Sequence, residues 1–317
     1  FNLENAGYDV VPFEMDLSSR ESILAIIAEA QKYDIQLIGM SHRNINKYGP
    51  EHENSKIGRD SEYYAEWIAG YERGWYMLAK LFPEITVWEI DNETNNLDFM
   101  ADAEGGTFTP QEMADISTDL FYYGSRGIHR ANPEATTVMG GFLTWDEGVF
   151  LRQVYENIKS GDFGEGSTDP DDYFQALAWH PYMVVFDAGE FLRINQKLYD
   201  IACSYEGQAK PVYFTELGGW DEYLSQEESA QYLTQLYTQV AGQLPFVKTM
   251  HYFRAFDNII DNGNQFGMFA DPDPQREDIC NGERLTYGGL LYLSSRYAVA
   301  IDELNLPVNS LAAILLP

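Results

Sequence analysis

The stretch Trp88-Glu89-Ile90-Asp91-Asn92-Glu93-Thr94-Asn95-Asn96 places three acids within five positions, directly after the apolar run at residues 82–87. A short apolar run bounded by polar residues reads as a buried strand. Carrying a carboxylate toward a core is costly unless something pairs with it or uses it. A strand that ends in this much negative charge therefore calls for a partner elsewhere in the chain.

Working outward, the pattern alternates. Residues 10–17 read as a strand, followed by the capping pair Ser18 and Glu21 and by Ile23, Ile26, Ile27 and Ala30 at helical spacing. Residues 35–40 read as a short buried strand, 62–81 as a helix rich in Tyr and Trp, and 85–90 as the strand that carries the opening motif. Thr109-Pro110 with Glu112 opens another helix. A strand at 136–140 and a helix at 146–159 follow, then residues 174–178 leading into Trp179-His180-Pro181-Tyr182. A helix at 191–205 precedes a strand at 211–214, which runs into Thr215-Glu216-Leu217-Gly218-Gly219-Trp220. Ser225 and Glu228 cap the next helix, residues 246–253 form the last strand, and residues 285–296 the last helix.

Strands alternating with helices of this length imply parallel βα units. The strands near residues 10, 35, 85, 136, 174, 211 and 248 are one fewer than a closed eight-stranded barrel needs. A doubly wound open sheet is the rival, but no glycine-rich phosphate turn follows an early strand. The expected architecture is an α/β, (β/α)8 TIM barrel whose first β/α unit is not accounted for. Residues 1–317 would form one catalytic domain with a long acidic loop at 257–284, either a functional loop over the site or an excursion.

Composition sets bounds. The chain has 50 Asp and Glu against 20 Lys and Arg, for a net charge of −30, which argues against a nucleic-acid surface. No apolar run is long enough to span a membrane. The chain begins with Phe and shows no basic-then-apolar leader, so we expect either a removed export signal or a piece of a longer chain. Cys203 and Cys280 lack metal-like spacing, and both a disulfide and two free thiols stay open. The five His are scattered, with no His-x-His or His-x-x-x-His, so neither a metal nor a cofactor is expected. No Gly-x-Ser-x-Gly elbow suggests a serine hydrolase.

On a barrel, Glu93 and Glu216 would both end strands at one face. Two carboxylates facing each other are the equipment of glycoside hydrolysis, one giving a proton and the other attacking the sugar or activating water. Taken singly, each could equally be a solvated loop acid.

Asn92-Glu93 at one strand end, His180-Pro181-Tyr182 at a later one and Thr215-Glu216 at a third, in that order, resemble clan A of the glycoside hydrolases, the retaining barrel enzymes. The style is closest to families 39 and 5. The helix before Trp88 and the segment Asn264-Gln265-Phe266-Gly267-Met268-Phe269, followed by Leu285-Thr286-Tyr287-Gly288-Gly289, extend the resemblance along nearly the whole chain. It implies that Glu93, ending strand four, is the acid/base and that Glu216, ending strand seven, is the nucleophile. Tyr182 would hydrogen-bond that nucleophile with His180 close by, and Asn92 would bind the sugar 2-hydroxyl.

It also implies β-linked glycosidic bonds of an oligo- or polysaccharide as substrate. Strand one is then missing from the chain, hidden in residues 1–8, or supplied by another chain. Strand two ends in Glu14-Met15-Asp16 where the clan often has Arg, and Phe253 stands where a subsite Trp is usual. His42 reads as a sugar ligand or a helix cap, and Trp145, Trp179 and Trp220 as sugar platforms or core. A secreted or cell-surface bacterial location is expected from acidity and few cysteines. The alternatives are a carbohydrate-binding barrel without turnover and a transglycosylase; the oligomeric state is open.

Overall fold

The computed structural model describes residues 17–32, 35–41, 55–183, 185–208, 210–218, 226–237 and 241–253. Of the expected strand at 10–17 only Leu17 is described, and it opens a helix instead; His42, Trp220, the 257–284 loop, the last helix and Cys280 lie outside these residues.

Helix α1 (Leu17–Lys32) leads to strand β1 (Ile38–Ser41), the short strand β2 (Ser55–Lys56) and helix α2 (Tyr64–Leu81). Strand β3 (Val87–Ile90), the short strand β4 (Ala101–Asp102) and helix α3 (Pro110–Ala131) follow, then β5 (Thr136–Met139), β6 (Phe142–Leu143) and α4 (Val149–Ser160). Strand β7 (Leu177–His180), helix α5 (Ala188–Glu206), strand β8 (Val212–Leu217), helix α6 (Gln226–Gln235) and strand β9 (Val247–Tyr252) complete the described chain. α3 begins where its signals place it: Thr109 and Glu112 form a reciprocal capping box ahead of Pro110. α4 starts later than expected. Residues 144–146 form a separate 3-10 turn, and Gly148 at φ 92° breaks the path before Val149.

All the long strands run parallel and pair in chain order. β1 pairs with β3 and β3 with β5; β6 pairs with β7, β7 with β8 and β8 with β9. A parallel bridge from Val138 to Ala176, with Met139 N–H donating to Ala176 O at 2.9 Å, joins the two halves. β5 and β6 thus behave as one barrel strand interrupted at Gly140-Gly141. The wall holds six such strands and is not closed among the described residues. A short parallel pair, β2 with β4, stands apart from it.

Alternation along the strands sorts side chains into two layers. Val87, Val138, Ala176, Ala178 and Tyr213 form an inner cluster, with Ile38 packed against it. Trp88, Ile90, Met139, Leu177, Trp179, Val212 and Phe214 belong to the larger cluster shared with the helices. α2 contributes a row of aromatic rings at helical spacing. Tyr64, Trp67, Tyr71 and Trp75 contact one another in sequence, and Trp75 meets Trp88 edge-on at 6.1 Å. This row fastens α2 to the strand that carries the acidic motif. Gly127 lets α3 approach α2 closely, because a methyl group there would lie 2.4 Å from Glu72 O.

Trp75 is fully buried and links helix to strand. Trp75→Ala is expected to destabilise the protein by about 3–5 kcal/mol, read as a lower denaturation midpoint in urea with an unchanged slope. A loss under 1 kcal/mol on this order-of-magnitude scale would mean that this aromatic row does not anchor the strand.

Candidate active site

The three acids of the opening motif take three different fates. Glu89 follows the inner parity of Val87 and points into the barrel. Its Oε1 accepts from Gly141 N–H at 2.8 Å and from the Thr215 hydroxyl at 2.8 Å. The carboxylate thus takes the backbone donor of Gly141 at the break between β5 and β6. Asp91 turns to φ 69° and pairs with Lys56 Nζ at 2.7 Å, with neither side chain exposed. Glu93, at φ 45°, donates its N–H to Gly141 O at 2.7 Å and presents its carboxylate to His180.

Glu216 reaches the same place by a different device. Between Phe214 and Leu217 the register of β8 against β9 slips by one residue. Such a bulge lets two consecutive residues face one side. Thr215 and Glu216 both contact the inner cluster of polar groups instead of alternating. The Tyr182 hydroxyl donates to Glu216 Oε2 at 2.8 Å.

His180 sits at the centre. Its Nδ1 lies 2.9 Å from Glu93 Oε1 and 3.9 Å from Glu216 Oε2, and its Nε2 is 3.1 Å from Thr215 Oγ1. With Glu89 and Glu93 ionised, Glu89 accepts from the Thr215 hydroxyl, whose oxygen accepts from His180 Nε2–H, while Nδ1–H donates to Glu93. Both ring nitrogens then carry protons, which makes His180 an imidazolium. Burial alone would push its pKa down. The charge of Glu216, the hydrogen bond and charge of Glu93, and the charge of Glu89 outweigh that and raise it to about 9.

Burial pushes Glu89 up to about 7, against the opposing pull of His180, Thr215 and Gly141. Burial also raises Glu216, reinforced by the charge of Glu93 and opposed by His180 and Tyr182. Burial and the Glu216 charge hold the Tyr182 phenol well above its usual range, so it remains a donor.

One ligating atom from each of Glu93, His180 and Glu216 lies within 4.8 Å of the other two, a spacing that a divalent metal could bridge.

The structure therefore brings together Glu93, His180, Tyr182 and Glu216, with Asn92 buried next to Glu93. Phe253 is half-buried just past β9, and its N–H bonds to Leu217 O at 2.8 Å, beside the Glu216 bulge. Trp145 is 67% exposed on the loop after β6. Asn95 grips Leu143 N and O in that strand at 2.9 and 2.8 Å, tying this loop to the one that carries Glu93.

Trp179 is corrected. It is fully buried among helix-facing residues, with its indole N–H on Asn195 Oδ1 at 2.6 Å, and cannot serve as a sugar platform. Strand parity forces this, since His180 faces in and its neighbour must face out. The same parity was the signal available for Glu89 and Thr215, which the sequence analysis left out. Asn96, which donates to Glu93 Oε2 at 3.1 Å, and Gly141 carried no such signal. A methyl group at Gly141 would lie 2.2 Å from His180 Nε2 and 2.7 Å from Thr215 Oγ1.

The fold is similar to that of several solved structures. A family 39 glycoside hydrolase from the gut symbiont Bacteroides cellulosilyticus WH2 matches with a TM-score of 0.59 and 16% identity, covering 81% of this chain and 51% of that one. The likeness is one of fold, an α/β arrangement of parallel strands and helices. A glucosidase from Croceicoccus marinus (TM-score 0.54, 15% identity, 77% and 48% covered) and a psychrophilic family 10 endo-β-1,4-xylanase (0.50, 13%, 81% and 76%) match in the same way. The chain spans about half the length of the first and the glucosidase. No family model and no curated protein matches the sequence.

The raised pKa of His180 has a sign that can be tested. Its folded value lies above the ordinary 6.5, so the stability it confers is complete below about 6.5 and is lost as pH rises through about 9. The Tm of the wild type relative to that of His180→Asn should fall across this window. A difference that stays flat or grows with pH would show that the imidazole is not held protonated.

Proposed function

We propose that the protein is a retaining glycosidase acting on β-linked sugars of an oligo- or polysaccharide. The observation that carries the proposal is that one carboxylate oxygen of Glu93 and one of Glu216 lie within 4.8 Å of each other at the C-terminal ends of parallel strands. Retaining enzymes hold their two carboxyl groups about 5–5.5 Å apart, whereas inverting ones leave about 6.5–9.5 Å for a water molecule. The position suits a barrel enzyme, whose chemistry sits at this face.

In the proposed mechanism Glu93 protonates the departing glycosidic oxygen while Glu216 attacks the anomeric carbon. Glu93 then takes a proton from water, which releases the sugar from Glu216. Two features bear on the roles in opposite senses. The raised pKa of Glu216 suits an acid, whereas the Tyr182 hydroxyl donated to Glu216 suits an anion. We place the nucleophile at Glu216. The hydroxyl orients one of its oxygens, and Asn92-Glu93 precedes it in the order of the resembling clan. His180 neutralises part of the negative charge between the two carboxylates, and Trp145 and Phe253 offer ring faces to sugar C–H groups.

Mass spectrometry after incubation with 2-deoxy-2-fluoro-β-glycosyl fluorides of glucose, mannose and xylose tests this directly. One added glycosyl group on the peptide that holds Glu216 is expected, and none in Glu216→Gln. Glu93→Gln should still form the adduct, because fluoride leaves without a proton. Folded wild-type protein that binds glycans but forms no adduct with any sugar would point to a binding module. Products extended by an added acceptor sugar would point to a transglycosylase.

A further inference from the structure

The loop that carries Glu93 is held at both ends by one residue, Lys56. Its side chain and that of Asp91 are wholly buried and paired at 2.7 Å, and the Tyr71 hydroxyl donates to the same Asp91 oxygen at 3.3 Å. Its backbone lies in β2, whose parallel ladder sets Lys56 opposite Asp102, and Lys56 O accepts from Ala103 N–H at 2.9 Å. Asp91 begins the loop and Asp102 ends it. Between them the chain carries Glu93, with Asp91 and Glu93 both in the left-handed region at φ 69° and 45°. Such residues cost about 1–3 kcal/mol each and persist only where the surroundings over-determine them. Asp91 also caps its own turn, accepting from Asn92 N–H at 2.9 Å on the oxygen that Lys56 does not use.

We propose that Lys56 and Asp91 form a positioning clamp that aims the Glu93 carboxylate at the leaving-group oxygen. This rests on the glycosidase reading above. A buried ion pair adds little net stability compared with an apolar pair, because desolvation offsets the attraction. Its value lies in geometry. The pair fixes the left-handed turn two residues before Glu93, and Gly141 O fixes the turn at Glu93 itself.

The test separates aiming from folding by leaving-group dependence. Removing one charge strands the other in the core, so the main variant is the double Lys56→Met/Asp91→Asn, in which neither charge remains. Folding is checked by circular dichroism and by stoichiometric labelling with 2-deoxy-2-fluoro-β-glycosyl fluoride, which needs no acid. kcat/KM is then compared for phenyl and 2,4-dinitrophenyl β-glycosides of the sugar that labels the wild type. A positioned acid supplies about 100- to 10,000-fold. With Glu93 mis-aimed, the phenyl glycoside should lose at least ~10-fold, while the dinitrophenyl glycoside, whose leaving group needs no proton, should change by less than ~3-fold. Restoring either single charge, as Lys56→Met or Asp91→Asn alone, should not recover the phenyl activity.

Equal losses on both substrates, or no loss on either, in labelled double variant overturn the clamp and leave the glycosidase reading intact. A double variant that does not fold makes the pair a stability element and overturns the clamp as well. Wild-type protein that cannot be labelled overturns the reading and the clamp together.

Discussion

A buried imidazolium among three carboxylates governs the interior of this barrel. His180 is completely enclosed, and burial by itself would strip its proton. It keeps that proton because Glu93 accepts from one ring nitrogen, Glu216 lies 3.9 Å from the same nitrogen, and Glu89 is reached through Thr215. Each of these acids would in turn be costly to bury without the cation. Charges that are individually unfavourable in a core become tolerable as one hydrogen-bonded unit. The backbone is shaped to let the unit form: a strand is interrupted at Gly140-Gly141, a bulge falls at Thr215-Glu216, and left-handed turns occur at Asp91 and Glu93.

These departures from regular structure coincide with the candidate active site. Strained and irregular backbone persists where function or over-determined packing holds it. Elsewhere the wall is regular apart from a second register shift between Val212 and Tyr213, with Val87, Val138, Ala176, Ala178 and Tyr213 inside and Trp88, Trp179 and Phe214 outside. The aromatic row of α2 holds β3 from behind, while the buried Lys56–Asp91 pair holds its charged end from above. The strand that delivers Glu89, Asp91 and Glu93 is thus fixed at both ends by unlike means, packing at one and an ion pair at the other.

Much of this was legible in the sequence. The alternation of strands and helices gave the parallel architecture, since each periodic apolar run can bury only one kind of face. The capping box at Thr109 fixed the start of α3 because its partners are local. Glu93, His180, Tyr182 and Glu216, which the structure brings together, were singled out because each lies at the end of an apolar strand in the order that resembles the clan. Trp179 stayed open between sugar platform and core because an aromatic residue beside His180 was weighed by its type and not by its parity.

What the sequence determined by itself was therefore the set of elements, their order, and the strand ends at which polar groups gather. These depend on local spacing and on patterns of period 2 and 3.6. Tertiary structure alone decided what each acid pairs with. The contacts of Glu89 with Thr215, 126 residues away, and of Asp91 with Lys56, 35 residues before it, are long-range pairings of charges, and no local pattern encodes them. The bulge that turns Glu216 inward likewise depends on the register between two strands, which is set only when they pair. Three acids within five positions announced that something must receive them, and the folded chain alone determined what did.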